Sequence, residues 1–133
     1  MIENETVIRN FYEARARRDL QAIRALLTDD VRWHEPGDFD YSGDYVGVDA
    51  VASLLARLLE VTGGDFRLEA GEMISTAQHV AAVIRWTAGR AGKEIKGTEI
   101  AVYRTVGARI AEVWFFTEHD PGEVAEVFSY ESS

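Results

Sequence analysis

The chain contains no cysteine, which excludes disulfide scaffolds, thiolate zinc sites, iron–sulfur clusters and cysteine nucleophiles together. Proline is scarce, at 2 of 133 residues, so proline-rich tracts are missing too. No apolar run reaches the length of a secretion signal or a membrane span, and the opening MIENETVIRNFYEARARRDL is charged throughout. A cytoplasmic protein with no membrane partner is expected. Positive charge is outnumbered, 14 Lys+Arg against 23 Asp+Glu, leaving a formal charge of −9. That field repels phosphate backbones and argues against a nucleic-acid partner. Gly-x-Ser-x-Gly is absent and no glycine-rich loop joins a strand to a helix, so serine-hydrolase chemistry and nucleotide cofactors lack their motifs. His34-Glu35-Pro36 has neither a second histidine four residues on nor a helix to present one. Neither a metal nor any other cofactor is expected.

What is present reads as one globular domain over residues 1–133, with 47% hydrophobic and 28% charged residues. Val7, Ile8, Phe11 and Tyr12 fall at helical steps and predict an amphipathic helix over 4–18. Asp19 caps a second, short helix carrying Leu20, Ile23, Leu26 and Leu27 and ending near Asp29-Asp30. Residues 31–35 alternate as a strand stopped by Pro36-Gly37, and 37–47 read as a loop. Asp49 is the expected cap of a third helix with Val51, Leu54, Leu55, Leu58 and Leu59 on one face, stopped by Gly63-Gly64. Strands are predicted at about 66–74, 79–89, 94–106 and 109–118, joined by short breaks that impose antiparallel pairing. Asp120-Pro121-Gly122-Glu123 opens a last helix through Phe128. The expected fold class is α+β, a curved, mostly antiparallel sheet wrapped around N-terminal helices and enclosing an internal pocket.

Phe11-Tyr12, the run Asp19-Leu20 to Leu26-Leu27, Trp33-His34-Glu35-Pro36-Gly37, Tyr45-Val46-Gly47 and the last strand from Arg109 to Trp114 resemble the NTF2-like superfamily. The likeness covers almost the whole chain, and its Trp33–Gly37 and Tyr45–Gly47 segments are similar to the SnoaL-like and ketosteroid isomerase-related branch. The resemblance implies a cone-shaped fold, a small apolar molecule in the cone and a homodimer formed through the outer face of the sheet. In the isomerase pattern a carboxylate base precedes a proline at the end of the first strand, a place matched by Glu35. A carboxylate in apolar walls abstracts an acidic proton beside a carbonyl. The family's helix-1 tyrosine is matched by Tyr12, read either as an oxyanion donor or as a core aromatic. The family's neutral acid falls at Ala101, which donates nothing, but Glu99 and Tyr103 share its face of the strand.

His34 points away from Trp33 and Glu35 in a regular strand. Either His34 supports the site from behind, or it faces the pocket with Glu35 outside. Trp33, Tyr45, Glu99, Ala101, Tyr103, Phe115 and His119 are the candidate substrate contacts, and Glu35, Tyr12 and His34 the candidate catalytic group. In the last strand, one face is expected to bury Trp114 and Phe116 while the other carries Phe115. The expected reaction is isomerisation or aldol-type cyclisation. The alternatives are a noncatalytic ligand binder or accessory protein, a protein-binding module, and an epoxide hydrolase-like enzyme using Arg85 or Arg104 with aspartates that the late strands do not supply.

Overall fold

The computed structural model describes residues 2–37, 39–118 and 121–129. The first apolar stripe forms helix α1 (Ile2–Ala16), which buries Val7, Ile8, Phe11, Tyr12 and Ala14. Helix α2 (Leu20–Ala25) is capped by Asp19, whose carboxylate accepts the Ala22 N–H at 3.1 Å. It ends earlier than its leucine spacing predicts. Strand β1 (Leu27–Glu35) starts at Leu27 because that residue pairs with Ile110 of the last strand, and the ladder overrides the local helical pattern.

The segment expected to be wholly loop contains strand β2 (Gly43–Val46), too short to show a period and formed by pairing with β1, Trp33 opposite Tyr45 and Glu35 opposite Gly43. Helix α3 (Val48–Val61) buries Val51, Ala52, Leu54, Leu55 and Leu58 as its stripe predicts. Its N-cap is Gly47 at φ 98°, without a side-chain cap. The expected cap, Asp49, instead sits in the first turn and pairs with Arg24 at 2.7 Å, where its charge still favours the helix dipole.

Strands β3 (Phe66–Ser75), β4 (His79–Arg90), β5 (Lys93–Val106) and β6 (Arg109–Glu118) form the antiparallel meander, and helix α4 (Pro121–Val127) follows. The six strands lie in the order β2-β1-β6-β5-β4-β3, with β1 parallel to β6. The curved sheet is not closed, so β2 and β3 are its edges. Asp120, the expected cap of α4, lies outside the described residues. Among the described residues no helix is long and apolar enough to cross a membrane.

Strict alternation gives the sheet its two faces. Val80, Ala82, Ile84, Trp86 and Ala88 of β4 are all buried, while Arg85 between them and His79 before them are exposed. Gly97 lies opposite Trp86 in the β4–β5 ladder, and a Cβ there would fall 2.5 Å from the indole Cζ2. The missing side chain therefore lets the ring lie across β5. Gly97→Ala is expected to cost about 1–3 kcal/mol by overpacking, measured by urea unfolding. An unchanged midpoint would mean that the indole moves aside freely.

Candidate functional site

The inner face of β1 carries Val31 and Trp33, both almost fully buried, and then Glu35. Because Trp33 and Glu35 are two residues apart they share that face, and the Trp33 Nε1–H donates to Glu35 Oε1 at 2.9 Å. The inner row of β5 runs Gly97, Glu99, Ala101, Tyr103. Glu35 and Glu99 line one cavity, with Arg15 of α1, Phe115 of β6, and Phe39, Trp86 and Phe128 over its remaining walls. The side chain of Glu99 makes no hydrogen bond and no ion pair among the described residues, and neither does that of Arg15. The guanidinium is held instead by rings, its Cζ 5.7 Å from the centroid of Phe11, 5.9 Å from Tyr12, 5.8 Å from Trp33 and 5.8 Å from Phe66.

These surroundings act on the two acids in one direction. Burial pushes Glu35 up to about 7, against the opposing pull of the Trp33 N–H and the Arg15 charge. Burial, and then the negative charge of Glu35, push Glu99 up to about 8, again opposed by Arg15. Near neutral pH Glu35 therefore exchanges its proton readily while Glu99 is mostly a neutral acid, a hydrogen-bond donor. Tyr12 and Tyr103 hydrogen-bond hydroxyl to hydroxyl, and burial raises both phenols, so both stay neutral.

The structure brings together only some of the candidates. Glu35, Glu99, Trp33 and Phe115 meet at the cavity. Tyr12 and Tyr103 are buried beside it with their hydroxyls engaged with each other, and Ala101 is fully buried under the same face. Tyr45 uses its hydroxyl on the Tyr41 carbonyl at 2.9 Å and is not part of the cavity wall. His119 lies outside the described residues.

His34 settles on the other side of β1. Its Nδ1 meets Asp44 at 2.7 Å, its Nε2 meets Glu112 at 2.7 Å, and its ring stacks on Trp114 at 6.0 Å. The hydrogen bonds to those two carboxylates raise its pKa. Of the two exclusive orientations read from the strand period, Glu35 takes the inside and His34 the outside. Arg104 also lies on the outer face, 3.4 Å from Glu112, and Arg85 is an exposed partner of Glu72 at 3.8 Å. The face of β6 expected to bury Trp114 and Phe116 is this outer one, where Phe116 is 64% exposed. The correction follows from β1–β6 pairing, which turns Val113 and Phe115 inward against Trp33.

The expected internal pocket is present but small, about 50 Å³, room for one or two waters rather than an organic ligand. Phe128 accounts for much of the filling, with ring centroids 6.1 Å from Phe39, 5.2 Å from Phe66 and 6.5 Å from Trp86. Arg15, Phe39, Phe66, Leu68, Trp86 and Phe128 went unread as site residues. Only Arg15 left a local signal: it lies four residues after Phe11, a charge on the apolar face of its helix.

The family model described as SnoaL-like domain matches residues 8–113. The uncharacterised protein Rv0034 of Mycobacterium tuberculosis (strain H37Rv) is 30% identical over 108 residues, covering 80% of this chain and 82% of that protein. Among solved structures, Bal32a from a soil-derived mobile gene cassette superposes with a TM-score of 0.88 at 24% identity, over 95% of this chain and 96% of that one. TerC co-crystallised with polyporic acid superposes with a TM-score of 0.81 at 19% identity, over 95% and 98% of the two chains.

Proposed function

The chain belongs to the SnoaL-like domain family, and from that premise we propose that it is a small-molecule enzyme moving a proton beside the carbonyl of an apolar compound, in an isomerisation or an aldol-type cyclisation. The single observation that carries this reading is the pair Glu35 and Glu99 in one cavity walled mostly by aromatic and aliphatic side chains, neither held in an ion pair among the described residues. Burying two carboxyls this way opposes folding, and such displaced acids cluster where a reaction uses them. Glu35 takes the α-proton, with the Trp33 N–H fixing one carboxylate oxygen so that the other meets the substrate. Glu99, neutral, donates to the carbonyl oxygen as it becomes an enolate. Glu99 thus fills the role that Ala101 leaves empty. The co-crystal of TerC with polyporic acid supports a small molecule as an occupant of this fold.

A substrate requires more room than the cavity offers, and the side chains that close it, Phe39, Val124 and Phe128, come from the loop after β1, from α4 and from the residue that follows α4. Opening there is part of the proposal. The test is α-deuteration of 2-tetralone in D₂O, followed by proton NMR. Catalysed exchange that rises with pH through about 7 supports the reading, and exchange at the buffer rate overturns it. The filled interior itself favours a second reading, a protein-binding module, which predicts the buffer rate.

The outer sheet face supports a homodimer. Phe116 and Ile100 are cross-strand partners, 64% and 44% exposed, and Trp114 pairs with Val102 beside them. An apolar stripe of this kind is a candidate subunit contact. Phe116→Glu is expected to convert a dimer into a monomer in light scattering at micromolar concentration. A wild-type chain that is monomeric there removes the assignment.

A further inference from the structure

A groove of about 360 Å³ shares Arg15, Phe66 and Leu68 with the carboxylate cavity but is otherwise lined by other residues. Leu20, Ile23, Leu55, Ala56 and Leu59 of α2 and α3 line it, and Leu20 is 41% exposed. Its volume lies within the range of small-molecule sites, and it is larger than the inner cavity.

The charges around it are one-sided in a chain of formal charge −9. Arg15 and Arg18 stand in the groove, and both also border an adjoining depression with Arg67. The one acid in the lining, Glu60, is already paired with Arg57 at 2.7 Å. Arg18 donates to the Gly64 carbonyl, whereas Arg15 rests on aromatic rings with its N–H donors unused by the described residues. A guanidinium held by ring faces keeps the edge of its fork free for an anion. An apolar wall and a guanidinium whose donors are unused by the described residues therefore stand side by side.

We propose that this groove binds an amphipathic monocarboxylate, its apolar body against α2 and α3 and its carboxylate on Arg15, with Arg18 beside it. Two forces act on separate parts of such a ligand: the hydrophobic effect on the chain, and a charge-assisted hydrogen bond on the head. The site is distinct from the Glu35–Glu99 cavity and does not depend on any reaction there. It shares Arg15, Phe66 and Leu68 with it.

The probes are octanoate and octan-1-ol, equal in chain length and different in charge, titrated as monomers at neutral pH and followed by amide chemical shifts. Octanoate is expected to bind about tenfold more tightly than the alcohol. Arg15→Gln/Arg18→Gln is expected to abolish that preference while leaving the alcohol's affinity within about twofold. Ala56→Trp, at an exposed helical position, fills the groove and is expected to weaken both probes about tenfold. Equal affinities for the two probes, a preference that survives loss of both arginines, or binding indifferent to Ala56→Trp would each overturn the proposal. Glu35→Gln leaves all three results in place if the site is the groove, which separates this test from that of proton transfer.

Discussion

Glu35→Gln is expected to lower the α-exchange rate of 2-tetralone by about 10²–10⁴-fold, the usual contribution of a positioned general base. Glutamine preserves the shape and still accepts the Trp33 N–H, whose bond to Glu35 is 2.9 Å in the wild type. Only the proton acceptor is removed. Glu99→Gln keeps a donor in place but exchanges an acid O–H for a weaker amide N–H, so a smaller loss, about 10–100-fold, is expected. Measured together, the two variants separate the roles. The pH profile of the wild type should rise through about 7, where Glu35 ionises, and fall as Glu99 loses its proton near 8; as a coupled pair, the apparent values belong to both acids. A Glu35→Gln variant with wild-type exchange would remove proton transfer by this residue from consideration.

The same two acids should make the protein less stable in mild alkali than in mild acid. In the unfolded chain both ionise around 4.5, whereas in the folded chain they hold their protons to about 7 and about 8. A raised folded pKa means that the unfolded state binds fewer protons over this window, so stability is greatest below pH 4.5 as far as these groups contribute and declines up to about pH 8. The decline then levels off. His34, raised by Glu112 and Asp44, adds a smaller loss of the same sign as pH rises through its folded pKa. Glu112, lowered chiefly by its bond to His34, contributes in the opposite sense, its stabilisation lost in acid. The variant Glu35→Gln/Glu99→Gln isolates the buried pair from these surface groups. It is expected to exceed the wild type by on the order of 3 kcal/mol above pH 8 and to approach it below pH 5. Urea unfolding followed by tryptophan fluorescence at the two pH values checks this. Parallel pH dependences in variant and wild type would show that the acids are hydrated in the folded protein.

Much of the fold was legible because each element announces itself over a few neighbouring residues. The stripe of α3, the four strands of the meander and the opposite directions of His34 and Glu35 follow from periods of 3.6 and 2. The errors fell where distant partners intervened. Leu27 follows helical leucine spacing yet pairs with Ile110, and Gly43–Val46 has no local pattern yet forms an edge strand beside β1. Asp49 looks like a cap by composition, but the chain places Gly47 there. In the site, the two acids were readable as a face of β1 and a face of β5, whereas the aromatic wall of Phe39, Phe66, Trp86 and Phe128 comes from four separate segments.

By itself, then, the amino-acid order determined that His34 and Glu35 take opposite faces of β1 and that Glu99, Ala101 and Tyr103 share one face of β5, since backbone geometry alternates side chains over short distances without help from the rest of the molecule, but which of those faces turns inward was left to the packing. Only the tertiary structure decided that β1 lies parallel to β6, that Arg15 stands over the ring faces beside those acids, and that about 50 Å³ is left between them. Free volume is a small difference between large packed volumes supplied by elements far apart in the chain, and no local pattern encodes such a difference.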